Sequence, residues 1–119
     1  MSKKILIHCR QSPYGNSLSR EAIDIALASA AFDQDICLLF SSDGVFQLNS
    51  QQASESLESK NHGKAVSALP LYGVDHIYVC SDSLIKRQLQ AEQLIITATQ
   101  QSYDQIAQLL NNQDVILNF

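Results

Sequence analysis

The sequence predicts an α/β fold, in which one domain holds a five-stranded, mostly parallel sheet with helices on both faces, a flavodoxin-like layering. Three observations carry the prediction. Apolar runs of strand length alternate along the chain with segments whose apolar residues recur at three- and four-residue spacing. The run Asp35-Ile-Cys-Leu-Leu-Phe40 is continuously apolar after its first residue, as in a strand covered on both faces. A length of 119 residues suffices for one core and is short for two, so the domain is expected to span residues 1–119.

The first strand is Ile5-Leu-Ile-His-Cys9, closed by the turn-forming Gln11-Ser-Pro-Tyr-Gly-Asn16. From Ser17 to about Phe32 a helix is expected. Leu18, Ala22, Ile25, Ala26 and Ser29 form one stripe and Ile23, Leu27 and Ala30 the next, with Asn16 or Ser17 as the cap. Asp35 to Phe40 is the second strand, ending at Ser41-Ser-Asp-Gly44. Val45-Phe-Gln-Leu48 has the apolar content of one helical turn, residues 49–60 are polar and weakly patterned and read as a loop, and Gly63 to Leu71 reads as a second helix. Val74 to Cys80, rich in β-branched and aromatic residues, is the third strand. Ser81-Asp82 is then positioned to cap a short helix from Ser83 to about Leu89. Leu94-Ile-Ile-Thr97 is the expected fourth strand, Ser102-Tyr-Asp-Gln105 has the form of a capping box before a last helix, and Asp114 to Phe119 is the fifth strand.

Composition removes several functions. Eight Lys and Arg against twelve Asp and Glu leave no positive field for a phosphate backbone, so direct nucleic-acid binding is not expected. The opening Met1-Ser-Lys-Lys-Ile5 has too short an apolar stretch for a signal peptide or membrane span, and no membrane association is expected. The cytoplasm is therefore the expected compartment. Cys9, Cys37 and Cys80 are three widely spaced cysteines without a CxxC pair, which predicts free thiols rather than a disulfide framework or a zinc site. No metal and no cofactor is expected.

In open parallel sheets, reactive groups gather beyond the carboxyl ends of the strands. The rule nominates His8-Cys9, Ser42-Asp43-Gly44, Cys80-Ser81-Asp82 and Thr97-Ala98-Thr99. Cys80 is the sharpest candidate, because it stands where a strand gives way to a helix whose unpaired N–H groups can stabilise a thiolate. Its alternative is a packed thiol, and Asp82 two residues on disfavours ionisation. Cys37, in mid-strand, reads as packing. Cys9-Arg10 has the look of a cysteine phosphatase loop, but the position for the closing arginine is Gly15. A nucleotide or flavin site has little support from a first loop with one glycine and no phosphate-binding motif. His62 and His76 read as surface or strand-edge residues.

The block Asp43-Gly-Val-Phe-Gln-Leu48, the segment Tyr78-Val-Cys80 with Ser83-Leu84, the tail Asp114-Val-Ile-Leu-Asn-Phe119, and Ser12-Pro-Tyr-Gly15 with Arg20-Glu-Ala22 together resemble the TusC/DsrF family. The resemblance covers essentially the whole chain. It implies a DsrE/DsrF-like fold and a subunit of a hetero-oligomer with TusB/DsrH-like and TusD/DsrE-like chains. It further implies sulfur transfer as persulfide between TusA- and TusE-like carriers, towards 2-thiouridine at the tRNA wobble position or, in the Dsr branch, towards sulfur oxidation. Cys80 matches by position the persulfide cysteine of the TusD/DsrE subunit. Ser81-Asp-Ser83 and Lys86-Arg-Gln88 depart from that subunit's small apolar run and terminal glycine, so the resemblance implies an auxiliary subunit, with Cys80 as a tentative persulfide site. Partner surfaces are expected around Phe46 and at Tyr72 or Tyr78.

Overall fold

A computed structural model describes residues 3–13, 17–32, 34–49 and 57–119, with side chains in the last span from residue 62 onward. Five strands, β1 (Lys4–Cys9), β2 (Asp35–Phe40), β3 (His76–Cys80), β4 (Thr99–Gln101) and β5 (Val115–Asn118), form one sheet in the order β4-β3-β2-β1-β5. All four pairings are parallel, so the expected mostly parallel sheet is wholly parallel. Each crossover carries helix: α1 (Leu18–Ala30), α2 (Leu57–Ala68), α3 (Ser81–Lys86) and α4 (Tyr103–Asn111).

The two-residue period of the strands sorts the core into two layers. Ile7 and Cys9 of β1, Ile36, Leu38 and Phe40 of β2, and Ile77 and Val79 of β3 face Ala22, Ile23 and Ala26 of α1, Val66 of α2 and Leu84 of α3. Leu6, Cys37 and Leu39 point the other way, where Tyr78 and the half-buried Ile106, Leu109 and Leu110 of α4 cover them. This distribution follows from topology. The first three crossovers step across the sheet in one direction and the fourth steps back past β1, so a fixed crossover hand puts α4 alone on the second face.

Several local expectations shift. The stripe buried on α1 runs through Ser19, Ala22, Ile23 and Ala26, and Leu18 is left exposed. Ser17 takes the cap position of α1 without a side-chain bond to the backbone. The second helix starts at Leu57 rather than Gly63, and the expected loop at 50–56 lies outside the described residues. The apolar turn is a 3₁₀ segment over Ser42–Leu48. The largest correction concerns β4, which is Thr99–Gln101 and not Leu94 to Thr97. Leu94 forms an antiparallel bridge with Asn49, Ile95 N–H donates to the Leu48 carbonyl at 2.7 Å, and Leu94, Ile95 and Ile96 pack against the larger core layer. Their apolarity serves that packing. An edge strand needs only one ladder, and the polar Thr-Gln-Gln supplies it.

The last helix begins as the sequence implies. Ser102 Oγ accepts from Gln105 N–H at 3.2 Å and Gln105 Oε1 accepts from Ser102 N–H at 2.8 Å, a reciprocal cap contributing about 1 kcal/mol.

Candidate functional site

The carboxyl edge of the sheet is formed by the ends of β1, β2, β3, β4 and β5. Cys80 stands there, as expected, in extended conformation (φ −73°, ψ 116°) as the residue that caps α3. The helix therefore begins at Ser81, two residues before the expected start, and Ser81-Asp82 do not cap it. Ser81 Oγ instead donates to the Gln101 carbonyl at 3.2 Å, pinning β3 to the edge strand. Cys80 is 1% exposed. Its burial closes the thiol to a bulky partner while leaving its backbone at the strand-to-helix junction.

The segment after β2 is locked onto its neighbours. Ser42 N–H donates to Ser83 Oγ at 2.9 Å, and Asp43 pairs with Arg87 at 3.0 Å. Gly44 lies so close to β1 that a Cβ there would overlap the Cys9 carbonyl. A glycine is thus required by close approach of two backbones, which is the physical content of the Asp43-Gly44 pair. Ser42 itself has φ +50°, a left-handed conformation that costs a non-glycine residue about 1–2 kcal/mol.

The other nominated positions divide. Cys9 points inward into the larger core layer and is fully buried. Burial pushes its thiol up to about 12, which removes the phosphatase reading of Cys9-Arg10. Cys37 is packed on the second face, with burial and then the Asp35 carboxylate pushing it up to about 11. Thr97-Ala98-Thr99 fall at the amino end of β4, so its contribution to the carboxyl edge is Gln101. His76 is exposed at the start of β3.

Two polar constellations emerge that the nominations did not contain. In the first, His8 Nε2 lies 2.6 Å from Ser41 Oγ. Asn118 lies directly opposite His8 in the β1–β5 register, on the same face of the sheet. Burial and then the Arg10 charge lower the imidazole below its ordinary value, with Asn118 opposing them. The strand-end rule reaches His8 but not Ser41 or Asn118. The alternation Leu6-His8 and Ile116-Asn118 placed both side chains on the second face, and that was the legible signal.

The second constellation corrects the surface reading of His62, which is 4% exposed. Its Nε2–H donates to Gln47 Oε1 at 3.0 Å, and Gln47, itself fully buried, donates from Nε2 to the Gln11 carbonyl at 2.8 Å. Gln47 of the Asp43-to-Leu48 block is thus a buried strut between α2 and the loop after β1. Burial above all, with Arg20 adding and Asp24 opposing, pushes the His62 imidazole down to about 4. Its Nδ1 has no hydrogen-bond partner among the described residues.

Among the described residues no group of three or more His, Cys, Asp or Glu side chains is arranged to hold a metal ion, and no helix is long and apolar enough to cross a membrane.

The DsrE/DsrF-like family profile matches residues 3–119. The chain belongs to the DsrE/DsrF-like family. Within it, the chain is similar to a protein named TusC homolog from Pseudomonas aeruginosa, at 39% identity over 98% of both chains. It is also similar to the intracellular sulfur oxidation protein DsrF from Allochromatium vinosum, at 35% identity over 98% of this chain and 96% of that one. The fold is that of the crystal structure of the ychN protein from E. coli, with a TM-score of 0.79 at 22% identity over 98% of this chain and 99% of that one. The family and fold expected from the sequence are those found.

Proposed function

We propose that this chain is an auxiliary subunit of a sulfur-relay hetero-oligomer. It sits beside TusB/DsrH-like and TusD/DsrE-like subunits in the cytoplasm and supports persulfide transfer from TusA-like to TusE-like carriers for 2-thiouridine formation at the tRNA wobble position. The similarity over nearly the full chain to a TusC homolog carries this reading. Two features agree with an auxiliary role. The candidate carrier thiol Cys80 is almost fully covered, and a net charge of −4 leaves contact with tRNA to partners.

Partner surface is available away from the carboxyl edge. Leu71 is 86% and Tyr72 64% exposed, and Leu71 borders an open, largely apolar groove with Ala68 and Ile95. Tyr78, in contrast, packs on the second face of the sheet, and Phe46 is half-buried. Of the residues expected at an interface, Tyr72 is the most exposed, which supports a contact there.

The test is co-expression with TusB- and TusD-like chains followed by native mass spectrometry. Recovery of a mixed oligomer supports the proposal, and a persistent lone monomer would sink it. The same spectra report added sulfur mass on each chain.

A second reading, that Cys80 itself carries the persulfide, is favoured by its position as cap of α3 at the carboxyl edge. A Cys80→Ser strain that thiolates tRNA normally rules it out. The similarity to DsrF keeps a place in sulfur oxidation as the alternative pathway, and loss of 2-thiouridine in a deletion strain decides between them.

A further inference from the structure

We propose that Ser41 is an activated hydroxyl that accepts an acyl group, with His8 as its general base and Asn118 positioning the imidazole. The three side chains come from three adjacent strands of one sheet face. Asn118 of β5 stands opposite His8 of β1, and Ser41 follows Phe40, the last residue of β2, which pairs with Cys9.

The His8 Nε2 to Ser41 Oγ distance of 2.6 Å is short even for a strong hydroxyl hydrogen bond. In the tautomer with the ring proton on Nδ1, Nε2 accepts from the Ser41 hydroxyl. This is the pairing of nucleophile and base that activates a serine, with Asn118 beside the ring in the strand register. The lowered imidazole value keeps the base unprotonated at neutral pH. The backbone adds a second feature. Ser41 is extended (φ −141°, ψ 169°) and the next residue is left-handed at φ +50°, so the chain turns sharply from strand into helix directly after the hydroxyl. The left-handed residue is Ser42, whose N–H is held by Ser83 Oγ at 2.9 Å, so the turn fixes the Ser41 hydroxyl at the carboxyl edge. Ser41 and His8 are only part-buried, so an acyl donor can reach them, whereas Cys80 at the neighbouring strand end is 1% exposed.

The chemistry taken is that of an activated ester or thioester. Ser41 Oγ forms a bond to the acyl carbon as its proton passes to His8 Nε2. The bond from carbon to the leaving oxygen or sulfur breaks, and the leaving group departs as its anion or takes the proton back from His8. No redox change occurs. Arg10, the cation that acts on His8, suits donors with an anionic group.

The test uses the full chain and p-nitrophenyl acetate, with p-nitrophenolate release followed optically and the acetylated residue located by peptide mass mapping. The expected result is one acetyl group on Ser41, at a rate that falls by about a hundredfold in His8→Gln, the usual contribution of a general base, and with no labelling at this site in Ser41→Ala. The rate should rise with pH through a midpoint below 6.5, the ordinary imidazole value. In Asn118→Ala that midpoint should move lower still, because Asn118 favours the protonated ring; a merely structural residue would leave it in place. Mapping of the wild-type adduct decides the site even where a variant fails to fold. Absence of acetylation, acetyl on Cys80 or a lysine alone, or a Ser41 rate indifferent to His8→Gln would overturn the proposal.

Discussion

Acid should weaken this fold most through one side chain, His62. In the unfolded chain its imidazole titrates near 6.5, while burial in the native state pushes it down to about 4. Between those values the unfolded chain binds a proton that the folded chain refuses. The stabilisation is therefore complete above the unfolded value and is lost as pH falls below it. Lowering the pH from about 7 to about 4.5 should remove roughly 2.5 kcal/mol through this residue alone, a large share of the roughly 5–15 kcal/mol that holds a typical domain together. The geometry explains the refusal. Nε2–H is already committed to Gln47, and a proton on Nδ1 would be a buried donor with no acceptor among the described residues beside the Arg20 charge. Urea unfolding of the wild type and of His62→Gln at both pH values isolates the effect, since the difference between their losses cancels all other titrating groups. A His62→Gln chain that loses as much stability as the wild type would refute the reasoning, as would an NMR titration placing His62 near 6.5.

Gly44→Ala should cost about 1–3 kcal/mol as overpacking does, because the added methyl overlaps the Cys9 carbonyl; a thermal melt within a degree of wild type would contradict the close approach. Cys9 and Cys37, with thiols pushed up to about 12 and 11, and Cys80, at 1% exposure, should react with a disulfide reagent near neutral pH only at the rate of unfolding. Rapid modification of Cys9 in the native state would contradict its place in the core, while rapid modification of Cys80 alone would favour the carrier reading.

The periodicities that announce the fold are local, and they were legible where packing agreed with them. The continuous apolar run of β2 is the centre of the sheet because it must be covered twice. The Ser102 to Gln105 box starts α4 because its bonds close within four residues. Legibility fails where a segment's apolar residues serve a distant surface. Leu94 to Ile96 have the composition of a strand, yet a bridge to Asn49 and the Leu48 carbonyl draws them onto the core, and the polar Thr99 to Gln101 takes the ladder.

The sharpest candidate, a cysteine delivered to the carboxyl edge, is legible in the sequence, since the third strand ends at Cys80 whatever surrounds it. Its shielding was decided only by tertiary structure, because exposure depends on what packs above the strand end. The same division holds for the polar groups. Sequence alone places His8, Ser41, Gln47, His62 and Asn118 in their elements. Only parallel pairing with β5 brings Asn118 to His8 across 110 residues of chain, and only the docking of α2 turns His62 and Gln47 into a buried strut. Hydrogen bonds between distant elements leave no period in a sequence, and so they become visible only once the hydrophobic layers have set the elements side by side.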